Sequence, residues 1–151
     1  MMILASLRSV LAVSGLFVFG VMKSTALIGG WHLLRQRFEP FGPAPEPKQY
    51  LGYFSLRYLI GINGGGIISS DRRGLAIATW PVLLSWAYPE IFIPWAEVER
   101  VEAVPPRLFG FGRYYRVWIK RAPELDLRLR DRSFEFVRKN AEAAGVVITG
   151  A

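Results

Sequence analysis

Gly64 to Val98, GGGIISSDRRGLAIATWPVLLSWAYPEIFIPWAEV, holds the turn and strand signals that decide the fold. Ile67 and Ile68 open an apolar run that ends at Ser69-Ser70, and Asp71-Arg72-Arg73-Gly74 follows. Aspartate at the head of four polar residues accepts the turn's N–H groups, and glycine at the end takes a left-handed conformation without a Cβ clash. Leu75, Ile77 and Thr79 then alternate with Ala76, Ala78 and Trp80, the period of a strand with two different faces. Pro81 cannot donate to a ladder and predicts the strand's end. Val82 to Tyr88 is almost wholly apolar and closes at Pro89. Ile91-Phe92-Ile93 is a short β-prone run stopped by Pro94. The stretch therefore reads as a hairpin, a hydrophobic loop and a third short strand.

Working outward, Tyr50 to Ile60 alternates and predicts a first strand, joined to the hairpin by a flexible loop over Gly61 to Gly66. No Gly-Lys-Ser/Thr follows those glycines, so they are not a phosphate-binding loop. Downstream, Val98, Val101 and Val104 recur every three residues between Glu97, Glu99 and Glu102, a spacing that suits a helical turn nearly as well as a strand. Pro105 to Gly112 reads as a loop. Arg113 to Arg121 predicts a strand with Tyr115, Val117 and Ile119 on one face and Tyr114, Arg116, Trp118 and Lys120 on the other. Glu124 to Arg130 predicts another, with Leu125, Leu127 and Leu129 inward. Asp131 reads as an N-cap. Phe134, Val137, Ala141 and Ala144 then recur at helical spacing until Gly145.

A GL-x-[IL] strand (Gly74-Leu75-Ala76-Ile77), a proline-bearing hydrophobic loop (Pro89) and a strand ending Ile93-Pro94-Trp95-Ala96-Glu97-Val98, all behind an N-terminal apolar segment, occur here together. This set resembles small bacterial membrane proteins with a PH-like (GRAM-like) domain, over residues 50–140. The resemblance implies an α+β, mostly β fold, in which a bent antiparallel sheet, or partly open barrel, is followed by a C-terminal helix. It also tips Val98 to Val104 toward strand. Gly64-Gly65-Gly66 and Arg72-Arg73 lie outside the shared pattern.

Residues 9–22 carry no charge, Lys23-Ser24-Thr25 interrupts, and Ala26 to Leu34 is again mostly apolar. The expectation is one transmembrane helix from near Ser9 to near Trp31, with Trp31 as an interfacial aromatic and Arg35 and Arg37 as basic flanks. Lys23 then snorkels or faces a partner, because a mid-membrane charge costs about 2.5–3.5 kcal/mol. The competing reading is a signal peptide cleaved near Ser24-Thr25-Ala26. Arg35, Arg37 and Lys48 outnumber Arg8 and place the C-terminal domain in the cytoplasm by the positive-inside rule. Pro40, Pro43, Pro45 and Pro47 make an extended spacer. The predicted organisation is an anchor over 1–37 in the bacterial inner membrane, a proline-rich linker over 38–48, and the PH-like domain over 49–151.

The chain of 151 residues has no cysteine and one histidine, His32, which lies in or beside the predicted anchor. Thiolate metal sites, disulfides and the common hydrolase triads therefore cannot be assembled. Asp71 reads as turn, Asp126 as exposed strand and Asp131 as helix cap, so neither an enzyme nor a cofactor is expected. The net charge is +7, and of the 19 Lys and Arg all but Arg8 and Lys23 follow residue 34. Such a surface favours phosphates. The predicted contact residues are Arg72 and Arg73 at the hairpin tip and Arg107, Leu108, Phe109, Phe111 and Arg113 in the later loop, where apolar residues between arginines suit a bilayer or a protein partner. The apolar loop Trp80 to Tyr88 is a further possible surface or a core filler. The functional expectation is a non-catalytic, membrane-anchored domain that binds a protein partner or the anionic bilayer. The alternative is a structural subunit of a membrane complex. A nucleic-acid module stands third, from the aromatics that alternate with arginines along Arg113 to Lys120.

Overall fold

The computed structural model describes residues 2–38, 42–56, 61–80, 86–105 and 112–150, with side chains from residue 12 onward except those of 51 and 61–64. Helix α1 (Met2–Ile28) and the short α2 (Trp31–Arg37) precede strands β1 (Lys48–Ser55), β2 (Gly61–Ser70), β3 (Gly74–Thr79) and β4 (Ile91–Pro94). A 3-10 turn (Trp95–Glu97) leads into β5 (Val98–Val104), β6 (Tyr114–Ile119), β7 (Leu127–Arg130), helix α3 (Asp131–Ala143) and β8 (Val147–Thr149). The fold is α+β and mostly one mixed sheet of eight strands in the order β4-β3-β2-β1-β7-β6-β5-β8. Every pairing is antiparallel except β5 with β8.

The predicted hairpin forms, with Ser70 paired to Leu75 at its end. Asp71 Oδ1 accepts the N–H groups of Arg73 (2.8 Å) and Gly74 (3.2 Å). Gly74 does not take the expected left-handed conformation; the only described glycines that do are Gly30, Gly42, Gly112, Gly145 and Gly150. It is needed for close approach instead, since a Cβ there would lie 2.4 Å from the Ile93 carbonyl. Trp95 locks the turn from outside, donating Nε1–H to the Asp71 carbonyl at 2.8 Å.

The glycine run expected as a loop is the first half of β2. Gly66 pairs with Gly52 across bulges in β1, and a Cβ on Gly66 would meet the Phe54 ring at 2.8 Å. Gly66 reads as a chain breaker because its use, letting one strand cross beneath a buried phenyl ring, depends on Phe54, 12 positions away (66 − 54).

One face of the sheet carries the core. Leu127 and Leu129, Tyr115 and Val117, Phe54, Ile68, Leu75 and Ile77 are buried there with Phe134, Val137 and Ala141 of α3. Asp131 is not the N-cap; it is the first helical residue, Arg130 occupies the cap position, and no side chain caps the helix. The other end follows the sequence signal: Gly145 at φ 78° donates to the Glu142 carbonyl and Val146 N–H to that of Ala141, a Schellman stop. Ala144, expected on the apolar face, is the exposed C-cap. The tail pairs back as β8.

The single helix expected from Ser9 to Trp31 is interrupted. α1 ends at Ile28, and Gly30 at φ 83° starts α2 on a new axis bent by 63°. Among the described residues no single helix is long and apolar enough to cross a membrane; Ala12–Ile28 and Trp31–Arg37 pass that test only together. Yet the apolar residues of α2 are spent on the sheet. Trp31, expected at an interface, is 2% exposed, packs against Phe54 and Tyr88, and donates Nε1–H to the Pro89 carbonyl at 3.0 Å. Leu34 and Phe38 join the same core.

Candidate functional site

Two neighbouring features distinguish the face on which α1 and α2 meet the sheet. The first is a bracket built from residues 86–89. The Trp86 ring stacks on Phe19 of α1, with centroids 4.3 Å apart and planes 5° from parallel. The Lys23 ammonium lies 5.3 Å from the centre of the same ring, so the charge that interrupts the apolar helix rests on a π face. Two residues further on, the Thr25 and Tyr88 hydroxyls are 2.6 Å apart. Aromatic stacking, a cation–π contact and a hydroxyl–hydroxyl bond thus fix the angle at which α1 leaves the domain. From Ala12 to Val21 α1 is exposed. Leu16 is 71% and Phe17 72% exposed, and Val13, Val18, Leu27 and Ile28 are exposed as well.

The second feature is a cleft of about 550 Å³ lined by Gln36, Arg37, Phe38, Arg73, Phe92, Pro94 and Arg121. Its three arginines come from the end of α2, the β2–β3 turn and the turn after β6. Each is held by a carboxylate: Arg37 by Glu124 (2.7 Å), Arg73 by Asp71 (2.7 Å) and Arg121 by Glu97 (3.0 Å). Two lie over the aromatic lining, Arg73 at 5.7 Å from the centre of Phe92 and Arg121 at 4.8 Å from that of Phe38. Partial burial pushes the Asp71 carboxyl up. Hydrogen bonds from the Arg73 side chain and from the N–H groups of Arg73 and Gly74, with the Arg73 charge, outweigh it and hold the carboxyl below its ordinary value.

Of the expected contact residues, Arg73 lines this cleft and Arg72 is exposed beside it on the same turn. Arg113 is exposed elsewhere, just before β6, where its carbonyl accepts the Asp131 N–H. Arg107, Leu108, Phe109 and Phe111 lie outside the described residues, as do 81–85 of the apolar loop, whose flanks Trp80 and Trp86 are exposed. Arg37, Phe38, Phe92 and Arg121 were not anticipated as site residues. Only folding gathers segments 84 positions apart (121 − 37), and no local spacing announces it.

The outer face of β5–β7 bears the alternating aromatics and arginines. There the Trp118 ring has the guanidinium of Arg116 at 3.6 Å and that of Arg100 at 4.3 Å from its centre, and its Nε1–H donates to Glu102. Asp126, expected to be exposed, is half-buried between Arg116 and Arg128. The stacking surface that a nucleobase needs on Trp118 is thus occupied by the chain's own arginines. No protein-family model matches the chain, and no curated protein matches it.

Proposed function

We propose that this chain is a non-catalytic binding module held on a membrane by α1, with its sheet at the anionic bilayer surface. The observation that carries the reading is the exposed apolar length of α1. Its apolar residues are spread around the helix instead of gathered in one stripe, and from Ala12 to Val21 all are open to solvent. A helix apolar on every side needs a hydrophobic surrounding, and each large side chain left in water forgoes about 1.5–3 kcal/mol. Lipid supplies that surrounding. The bracket on Trp86 and the burial of Trp31, Leu34 and Phe38 support a domain seated directly against the helix exit, closer than a free proline spacer would hold it. The antiparallel strands followed by α3 support the PH-like (GRAM-like) part of the reading, and the basic flanks support a cytoplasmic domain in a bacterial inner membrane. The alternative, a structural subunit in which Lys23 pairs with an acid on a neighbouring helix, is less favoured because Lys23 already rests on Trp86.

Membrane fractionation tests the reading. The full chain stays in the pellet after carbonate and after high-salt washing, because insertion is hydrophobic, and its N-terminal residue remains near Met1. Release into the supernatant, or a mature chain beginning near Leu27, overturns it.

A further inference from the structure

We infer that the cleft between α2 and the β2–β3 turn is a phosphate-binding site, with Arg37, Arg73 and Arg121 as its donors. The inference rests on the membrane-bound reading for the lipid source of the phosphate, and on the cleft alone for the site itself. No carboxylate is among the lining residues. The acids that pair with the three arginines are not themselves lining residues, and they leave donors over. Asp71 takes Nε and Nη2 of Arg73, Glu97 takes Nε of Arg121, and Glu124 and the Arg121 carbonyl take Nη1 of Arg37. Arg73 Nη1, both Nη atoms of Arg121, and Nε and Nη2 of Arg37 make no hydrogen bond among the described residues. Arg73 and Arg121, each paired with a carboxylate and laid on Phe92 and Phe38, are partly positioned before a ligand arrives, which lowers the cost of binding. Planar donor forks from three directions suit a phosphoryl group's several oxygens better than a single carboxylate.

Placement favours a headgroup as the source. α2 has 7 residues and leaves the α1 axis at 63°. At 1.5 Å per residue it is about 10 Å long and advances only about 5 Å along the α1 axis. The bend thus keeps the cleft close to the level at which α1 ends, on the side of the domain that meets the helix. Phe38, Phe92 and Pro94 offer an apolar wall to the glycerol portion of such a lipid.

The test uses the full chain in dodecyl maltoside micelles, which need no bilayer, so that its outcome is separate from that of membrane fractionation. Short-chain phosphatidic acid, inorganic phosphate and short-chain phosphatidylcholine are titrated calorimetrically. Phosphatidic acid binds at least tenfold more tightly than phosphatidylcholine. Arg121→Gln and Arg37→Gln each weaken it at least tenfold without lowering Tm by more than a few degrees, whereas Arg72→Gln, on the same turn but outside the cleft, leaves it unchanged. Inorganic phosphate binding as tightly as the lipid, with the same sensitivity to the variants, supports the site and assigns it to a free anion. Equal weakening by Arg72→Gln shows diffuse charge and overturns the proposal, as does the absence of binding to either phosphate.

Discussion

Replacing Trp95 by phenylalanine tests whether the β2–β3 turn, and with it Arg73, is held from outside the hairpin. The indole is 5% exposed, and its Nε1–H meets the Asp71 carbonyl at 2.8 Å, while the Trp95 backbone N–H meets the Arg73 carbonyl at 3.0 Å. Phenylalanine keeps the backbone bond and most of the apolar contact. It leaves the Asp71 carbonyl without its partner, which costs about 1–3 kcal/mol, and vacates the space of the second ring, which adds about 1 kcal/mol. Taking about 3 kcal/mol in all, and about 2–4 °C per kcal/mol for a chain of this length, Tm falls by about 6–12 °C. Trp95→Ala falls further, by the cost of about 3–5 kcal/mol typical of a large core aromatic. The assay is thermal unfolding of the full chain in neutral detergent, followed by far-ultraviolet circular dichroism. The shorter fragment 48–151 is unsuitable, because it lacks Trp31, Leu34 and Phe38 of the core. A phenylalanine variant that melts within about 1 °C of the parent, where about 6–12 °C is expected, refutes the reasoning: the turn is then held by the Asp71 bonds alone.

Gly74→Ala forces a Cβ to 2.4 Å from the Ile93 carbonyl and 2.9 Å from Pro94 Cα, and costs about 1–3 kcal/mol or more in urea unfolding. Gly74→Asn is equally damaging, and tolerance of asparagine would show a left-handed turn after all. Because the Asp71 carboxyl is held below its ordinary value of 3.8, it contributes stability above that pH and loses it as pH falls through the depressed value. Tm therefore declines on acidification, less steeply in Asp71→Asn; equal slopes in parent and variant contradict the pairing. Phe19→Ala and Trp86→Ala are non-additive, with a coupling of about 0.5–1.5 kcal/mol in a double-mutant cycle. Additivity would show that α1 is not docked on residue 86.

The sequence discloses what local chemistry decides. Asp71 marks a turn whichever strands it joins, the leucines at 125, 127 and 129 all point inward and are buried, and Gly145 stops α3 with a motif contained in six residues. It conceals what depends on a distant partner. Gly66 looks like a hinge until Phe54 lies against it. Gly74 looks left-handed until Ile93 arrives, and Trp31 after an apolar run looks interfacial until Pro89 accepts its N–H. The pairing of β1 with β7 has no local signature at all. The cleft is hidden for the same reason, since its arginines belong to three separate segments. Arg73 alone of the three stands out in the sequence, for its position at a tip and not for the company it keeps.

That β1–β7 pairing divides the sheet. β1 to β4 form one run of neighbouring hairpins and β5 to β7 another, and among the described residues the ladder pairs between them are Phe54 with Leu129 and Ser55 with Arg128. Each half closes through short connections, whereas the join spans most of the domain and carries the larger loop-closure entropy. Helix α3 lies across it, touching β1, β2 and β3 on one side and β6 and β7 on the other. Because α3 follows every strand of both halves, a chain emerging from the ribosome cannot clasp the two halves until residues 131–143 have been made. Until then each half presents an unpaired edge. Native-state hydrogen exchange at Phe54 and Leu129 would report how often that clasp reopens once it has closed.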